Sequence, residues 1–130
     1  MSVVDGIMDI NWSPDGKYIA TADRVNNVTI WNPRTGEKIY ELLKKHKEYV
    51  SCVRFSPDGK FIATGSHDGT CKVWSLGDKK LKKIHDYKHG EEVHTLCWSP
   101  TGDRLAVGGY NVSVGSEPIK IWNLHIRRIV

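Results

Sequence analysis

One tetrapeptide pattern returns three times at a fixed distance and limits what this chain can become. Ser13-Pro14-Asp15-Gly16, Ser56-Pro57-Asp58-Gly59 and Ser99-Pro100-Thr101-Gly102 begin at positions 13, 56 and 99, so both intervals are 43 residues. An aromatic residue stands before each, Trp12, Phe55 and Trp98, and a second Trp closes each unit at Trp31, Trp74 and Trp122. The first two closing Trp residues lie 18 positions after their Ser and the third lies 23 after, so the last unit carries a five-residue insertion. A period of this length marks one supersecondary unit repeated in tandem. Such a unit cannot bury its apolar face alone and must stack on its neighbours.

Within each unit the pattern is β throughout. Short apolar runs at Ile7 to Trp12, Val50 to Phe55 and Val93 to Trp98 each stop at the tetrapeptide. Pro there fixes φ and Gly supplies positive φ, so the tetrapeptide is a hairpin turn. Second strands follow at Tyr18 to Ala22, Phe61 to Gly65 and Leu105 to Gly108. Trp-bearing third strands follow at Val28 to Trp31, Cys71 to Trp74 and Ile119 to Trp122. More polar segments at Lys38 to Leu43 and Leu81 to Tyr87 have the polarity of outer edge strands guarded by Lys.

These residues resemble the WD-repeat family from about Val4 to Leu124. The resemblance implies an all-β fold of three four-stranded antiparallel blades, about 4–43, 46–87 and 89–130, in one domain. The second unit fits best, with His46, Ser66, Asp68 and Trp74 at positions that form a buried hydrogen-bond network in the family. The first unit has Val3 and Val25 opposite His46 and Asp68. The third keeps His89 and Trp122 but has Gly109 opposite Ser66, and its insertion falls where the Asp belongs. None of the closing Trp residues is followed by Asp. The first and third units are expected to be the less rigid pair.

Three blades form only an arc, whereas closed propellers have four to eight. The arc is expected to close by self-association or against further blades of a longer chain, with Val3-Val4 and His125 to Val130 contributing to outer strands. The expected role is that of a non-catalytic scaffold binding proteins through the rim formed by the turns before each first strand and between each second and third. Repeat position places Met8 and Arg24 on that rim from the first unit, Tyr49, Ser51 and His67 from the second, and Glu92 and His94 from the third. Tyr49 and Arg24 are the residue types that anchor interfaces. The irregular loop Tyr110 to Pro118 is either a partner-specific element or tolerated length.

Other chemistries fare worse. Ser66, His46 and Asp68 have the residue types of a catalytic triad, but Thr64-Gly65-Ser66-His67-Asp68 is no nucleophile elbow, and the blade would bury the serine. His67, His85, His89 and His94 show no metal-ligand spacing on a common helix. Cys52, Cys71 and Cys97, an odd count without a CxxC, read as small buried hydrophobes. No cofactor or metal is expected. Lys and Arg exceed Asp and Glu by 19 − 15 = 4, with a sequence pI near 9.0. A nucleic-acid or anionic-surface role using Lys44, Lys45, Lys47 and Lys79 to Lys83 is therefore the alternative, although the run lacks aromatic partners for bases. No apolar stretch has membrane-spanning length and the N-terminus is not of signal-peptide type, so an intracellular location, cytoplasmic or nuclear, is expected, and the sequons at Asn11, Asn27 and Asn111 receive no role.

Overall fold

The computed structural model describes residues 5–77, 80–109 and 119–124. Every regular element among them is a strand. The first sheet contains β1 (Ile7–Trp12), β2 (Ile19–Asp23), β3 (Val28–Trp31) and β4 (Lys38–Leu42), in the order β1-β2-β3-β4. The second contains β5 (Val50–Phe55), β6 (Phe61–Ser66), β7 (Thr70–Leu76) and β8 (Leu81–Lys88), ordered in the same way. The third joins β9 (Val93–Trp98), β10 (Arg104–Gly109) and β11 (Ile119–Asn123). All pairings are antiparallel. The fourth strand expected at 125–130, Val3, and the 110–118 loop lie outside the described residues.

The tetrapeptides do what their composition demands. Gly16, Gly59 and Gly102 take φ of 74°, 74° and 76°, the left-handed region that glycine enters without steric cost. Each turn is locked by its serine. The Ser13 hydroxyl donates to Asp15 and accepts the Tyr18 N–H, and Ser56 does the same with Asp58 and Phe61. Ser99 uses Asp103 and Arg104 in the same way.

The three sheets stack face to face with β1, β5 and β9 touching in succession, so these are the inner strands, and β4 and β8 lie outermost. Two apolar cores fill the two seams. Ala20, Val28 and Ile30 of the first sheet meet Val53, Phe55, Ile62 and Trp74 of the second. Cys52, Ala63, Cys71 and Val73 on its other face meet Val93, Leu96, Leu105 and Val107 of the third. Side chains also cap the free edges of the inner strands, where unpaired N–H and C=O groups would otherwise remain. Asp9 accepts the Val53 N–H and pairs with Arg54, Asn11 accepts the Phe55 N–H, and the Trp98 indole donates to the Arg54 carbonyl.

The outward faces of the arc are open. Ile10 is 58% exposed, whereas Val53 and Leu96 at the equivalent register positions are buried, and Trp12 is 57% exposed. On the third sheet Ile119 and Ile121 are 61% and 62% exposed, whereas their equivalents Cys71 and Val73 are fully buried. An apolar groove of about 210 Å³ runs beside Ile119 along Cys97, Ala106 and Gly108.

Candidate functional site

A buried polar network holds the second blade. The Trp74 indole N–H donates to Thr64 Oγ1 at 3.1 Å, and that hydroxyl lies 2.8 Å from His46 Nε2. His46 Nδ1 lies 3.1 Å from Asp68 Oδ2. One hydroxyl proton and one imidazole proton satisfy this chain only if Thr64 donates to Nε2 and Nδ1–H donates to Asp68. Asp68 also accepts the N–H groups of Lys47 and Thr70 and the Thr70 hydroxyl. Burial alone would push the Asp68 carboxyl up; the hydrogen bonds from His46, Thr70 and Lys47 outweigh it and hold the group well below the usual carboxylate range.

Ser66, the fourth expected residue, meets this network at the Asp68 backbone and not at the indole. Ser66 does not reach Trp74; its hydroxyl donates to the Glu48 carbonyl and accepts the Asp68 N–H. Thr64, two positions earlier on the same face of β6, supplies the link. Neither of those Ser66 partners is His46, and Ser66 is fully buried, so the three triad residue types do not assemble as a nucleophile and its base.

The other blades keep less of this network. In the first, Trp31 donates to Thr21 at 2.9 Å, and the buried Asp23 accepts the N–H groups of Val25 and Asn27. In the third, Val107 occupies the Thr64 position and offers no hydroxyl. Among the described residues, the buried Trp122 Nε1 and His89 Nδ1 atoms find no hydrogen-bond partner there. Burial lowers the His89 pKa, and Lys120 adds to the effect against the opposing pull of Glu91.

The rim is built on bulges. Each inner strand carries one extra residue against its neighbour: Met8 between Ile7 and Asp9, Ser51 between Val50 and Cys52, and His94 between Val93 and Thr95. A bulge bends the strand and re-aims a side chain. Across the seam of the second and third blades, this assembles four of the seven expected rim residues. Tyr49 meets His67 with ring centroids 5.6 Å apart, and His67 stacks on His94 at 5.3 Å. Glu92 pairs with His94 at 3.6 Å. Tyr49, Glu92 and His94 are exposed and His67 is half-buried.

The remaining three differ. The hydroxyl of Ser51, expected on the display surface, turns inward to the carbonyls of Gly65 and Val93 and ties the two blades together. Arg24 is exposed and pairs with Asp5 of its own blade at 4.0 Å. Met8 is exposed on β1.

Two lysines of the alternative reading, Lys44 and Lys83, have local side-chain partners, as does Lys72 of β7. Lys72 and Lys83 both bind Asp86, and Lys44 Nζ donates to the Val25 carbonyl. Burial would raise the Asp86 pKa, but these two lysines lower it further. Lys79 lies outside the described residues. The three cysteines are free thiols; Cys52 and Cys71 are buried as expected and Cys97 is exposed. Burial pushes the Cys52 thiol up to about 12, so it is inert as a nucleophile near neutrality. No helix among the described residues is long and apolar enough to cross a membrane.

The family model for the WD domain, G-beta repeat, matches three times, at residues 4–32, 36–75 and 80–111. The second match takes in β4 of the first sheet together with β5 to β7 of the second. Repeat and blade are thus out of step by one strand, which links successive blades covalently. No curated protein matches the sequence at a significant level. Among solved structures, "Crystal structure of RRP9 WD40 repeats" superposes with a TM-score of 0.82 at 20% identity, and "Structure of U3-55K" with 0.81 at 20%. In both cases 95% of this chain is covered and 37% of the other. That likeness carries the fold, with this chain spanning just over a third of each relative's length. Three tandem family matches, seated on three stacked antiparallel sheets, make the chain a member of the WD-repeat family.

Proposed function

We propose that the chain is a non-catalytic scaffold that docks a protein partner on the rim, centred on the seam between the second and third blades. The observation that carries this reading is the row Tyr49, His67, His94 with Glu92 beside it, which two blades jointly present from the residues just before β5 and β9, the turn after β6 and the bulge of β9. Aromatic surface with adjoining charge suits a protein interface, and stiff strands lower the entropic cost of ordering it. Arg24 and Met8 extend the same rim on the first blade. The burial of Ser66 and the engagement of both His46 nitrogens support the absence of catalysis.

The open flanks belong to the same proposal. Ile10, Trp12, Ile119 and Ile121 repeat positions that other blades cover inside the arc, so further blades, from a second copy or a longer chain, are the occupants they fit. The free thiols accord with a reducing, intracellular setting.

Affinity capture with the wild-type chain beside Tyr49→Ala and Tyr49→Ala/Arg24→Ala tests the docking reading. Retention of the same bound protein by both variants, with the fold intact by circular dichroism, would reject it. Light scattering tests the flanks, and a monodisperse monomer at micromolar concentration would reject self-completion.

A further inference from the structure

We propose that His67, Glu92 and His94 form a binding site for a borderline-soft divalent ion of the zinc class, bridging the second and third blades on the rim. This goes beyond the docking reading, because it concerns the chain alone. One ligand atom from each residue, two imidazole nitrogens and a carboxylate oxygen, lies within 4.8 Å of the other two. In a tetrahedral site with metal–ligand bonds of about 2.0–2.1 Å the ligand atoms stand about 3.3 Å apart. Glu92 and His94 are already close to that, at 3.6 Å. Their side chains are about half exposed, so closing the remaining gap takes side-chain rotation and no movement of the core.

The backbone beneath is fixed on both sides of the seam. The His67 N–H donates to the Tyr49 carbonyl at 3.0 Å. Ser51 donates to the Val93 carbonyl, between the two ligands contributed by the third blade. Gly65 is packed so closely that a Cβ there would stand 2.5 Å from Val93 and 2.6 Å from Cys52. A supporting shell of this kind holds ligands near a productive geometry. The bulge at His94 sets its ring against His67 in a near-parallel stack, and rotation of the exposed His94 ring out of that stack lets the lone pairs of both imidazoles meet at one ion.

Two imidazoles and one carboxylate suit zinc better than magnesium or calcium, which prefer oxygen donors. Three protein ligands leave a fourth position open toward solvent, where water or a donor group of a docked partner would sit. Because the ligands come from two blades, only the folded, docked arrangement binds the ion, and binding stabilises that seam.

The test is calorimetric titration of Zn2+ into the whole chain, carrying Cys97→Ser to remove the one exposed thiol. Binding of one ion per chain is expected. His94→Ala and Glu92→Gln, both at exposed positions that spare the core, should each weaken it by at least about tenfold, the lower end of what even an outer-shell partner is worth. His67→Ala should do the same, and His85→Ala should leave it unchanged. Zn2+ should raise the melting temperature of the parent but not of His94→Ala. Failure to bind Zn2+, or undiminished binding by His94→Ala and Glu92→Gln, would overturn the proposal. Since no partner protein enters the experiment, either result leaves the docking reading to its own test.

Discussion

The second and third blades share a chain pattern, yet the second is closed on every side that the third leaves open. In the second, Trp74, Thr64, His46 and Asp68 pass hydrogen bonds from one to the next, and both apolar faces are covered. In the third, Trp122 Nε1 and His89 Nδ1 are buried atoms with no partner among the described residues, and Ile119 and Ile121 face solvent. Neither blade lacks apolar residues. The difference lies in polar positions, Val107 for Thr64 and Gly109 for Ser66 with the insertion where the Asp belongs, and in one covering neighbour. Cooperative stability in a stacked repeat is a sum of unit and interface terms, so the third blade is expected to open first.

The largest expected effect strikes the second blade. Thr64→Val keeps the shape and removes the hydroxyl, stranding the Trp74 N–H and His46 Nε2 together. Each buried unsatisfied group costs roughly 1–3 kcal/mol, so a loss of about 3 kcal/mol is expected in urea denaturation. A loss below about 1 kcal/mol would show that the network is not what distinguishes the blades. Covering is tested next. Val73→Ala in the filled seam should cost about 2 kcal/mol from lost burial plus a cavity, whereas Ile121→Ala at the equivalent position should stay within about 0.5 kcal/mol. A large cost for Ile121→Ala, growing with protein concentration, would instead reveal a flank covered by a second copy.

Acid separates the two blades by pH window. The Asp68 pKa is depressed, so its contribution is fully present above the unfolded value near 3.8 and is lost as pH falls below it. The His89 pKa is also depressed, but for a base the consequence arrives earlier. Below about pH 6.5 the unfolded chain takes up a proton that folded His89 refuses, and stability falls with pH. Hydrogen exchange from pH 7 to 5 should therefore quicken in β9 to β11 before β5 to β8. His89→Gln should flatten that limb, and Asp68→Asn the limb below pH 4. Equal quickening of both sheets would contradict the assignment.

Much of this was legible because turns announce themselves. Pro and Gly at fixed spacing located the strands and their order, and burial then followed from alternation. The polar network was legible only in part. Thr64 and Ser66 lie two apart on one face of β6, so pattern alone cannot choose between them. The choice is made by register: Ile62 stands opposite Trp74, and that sets which hydroxyl the indole reaches. The bulges at Met8, Ser51 and His94 have no signature in composition. The meeting of His67 with His94 depends on the rotation between blades, which repeat alignment does not encode. Asn11, read only as an idle sequon, caps the Phe55 N–H because stacking brings β1 against the free edge of β5.

The one substitution expected to stabilise the chain is also the one that most directly probes why the blades differ. Val107 stands two residues beyond the partner of Trp122 in β10, as Thr64 stands two beyond the partner of Trp74 in β6. Thr has nearly the volume of Val, so Val107→Thr puts a hydroxyl where the Trp122 N–H has no acceptor among the described residues. If the third blade lacks only that group, the new hydrogen bond offsets the cost of burying the hydroxyl and adds about 1 kcal/mol, with slower exchange confined to β9 to β11. His89 Nδ1 stays unpaired in this variant, which is why the gain should fall short of the loss in Thr64→Val. A destabilised Val107→Thr would mean that the indole and the new hydroxyl do not meet. The weakness of the third blade would then lie in its uncovered face and not in its missing polar link.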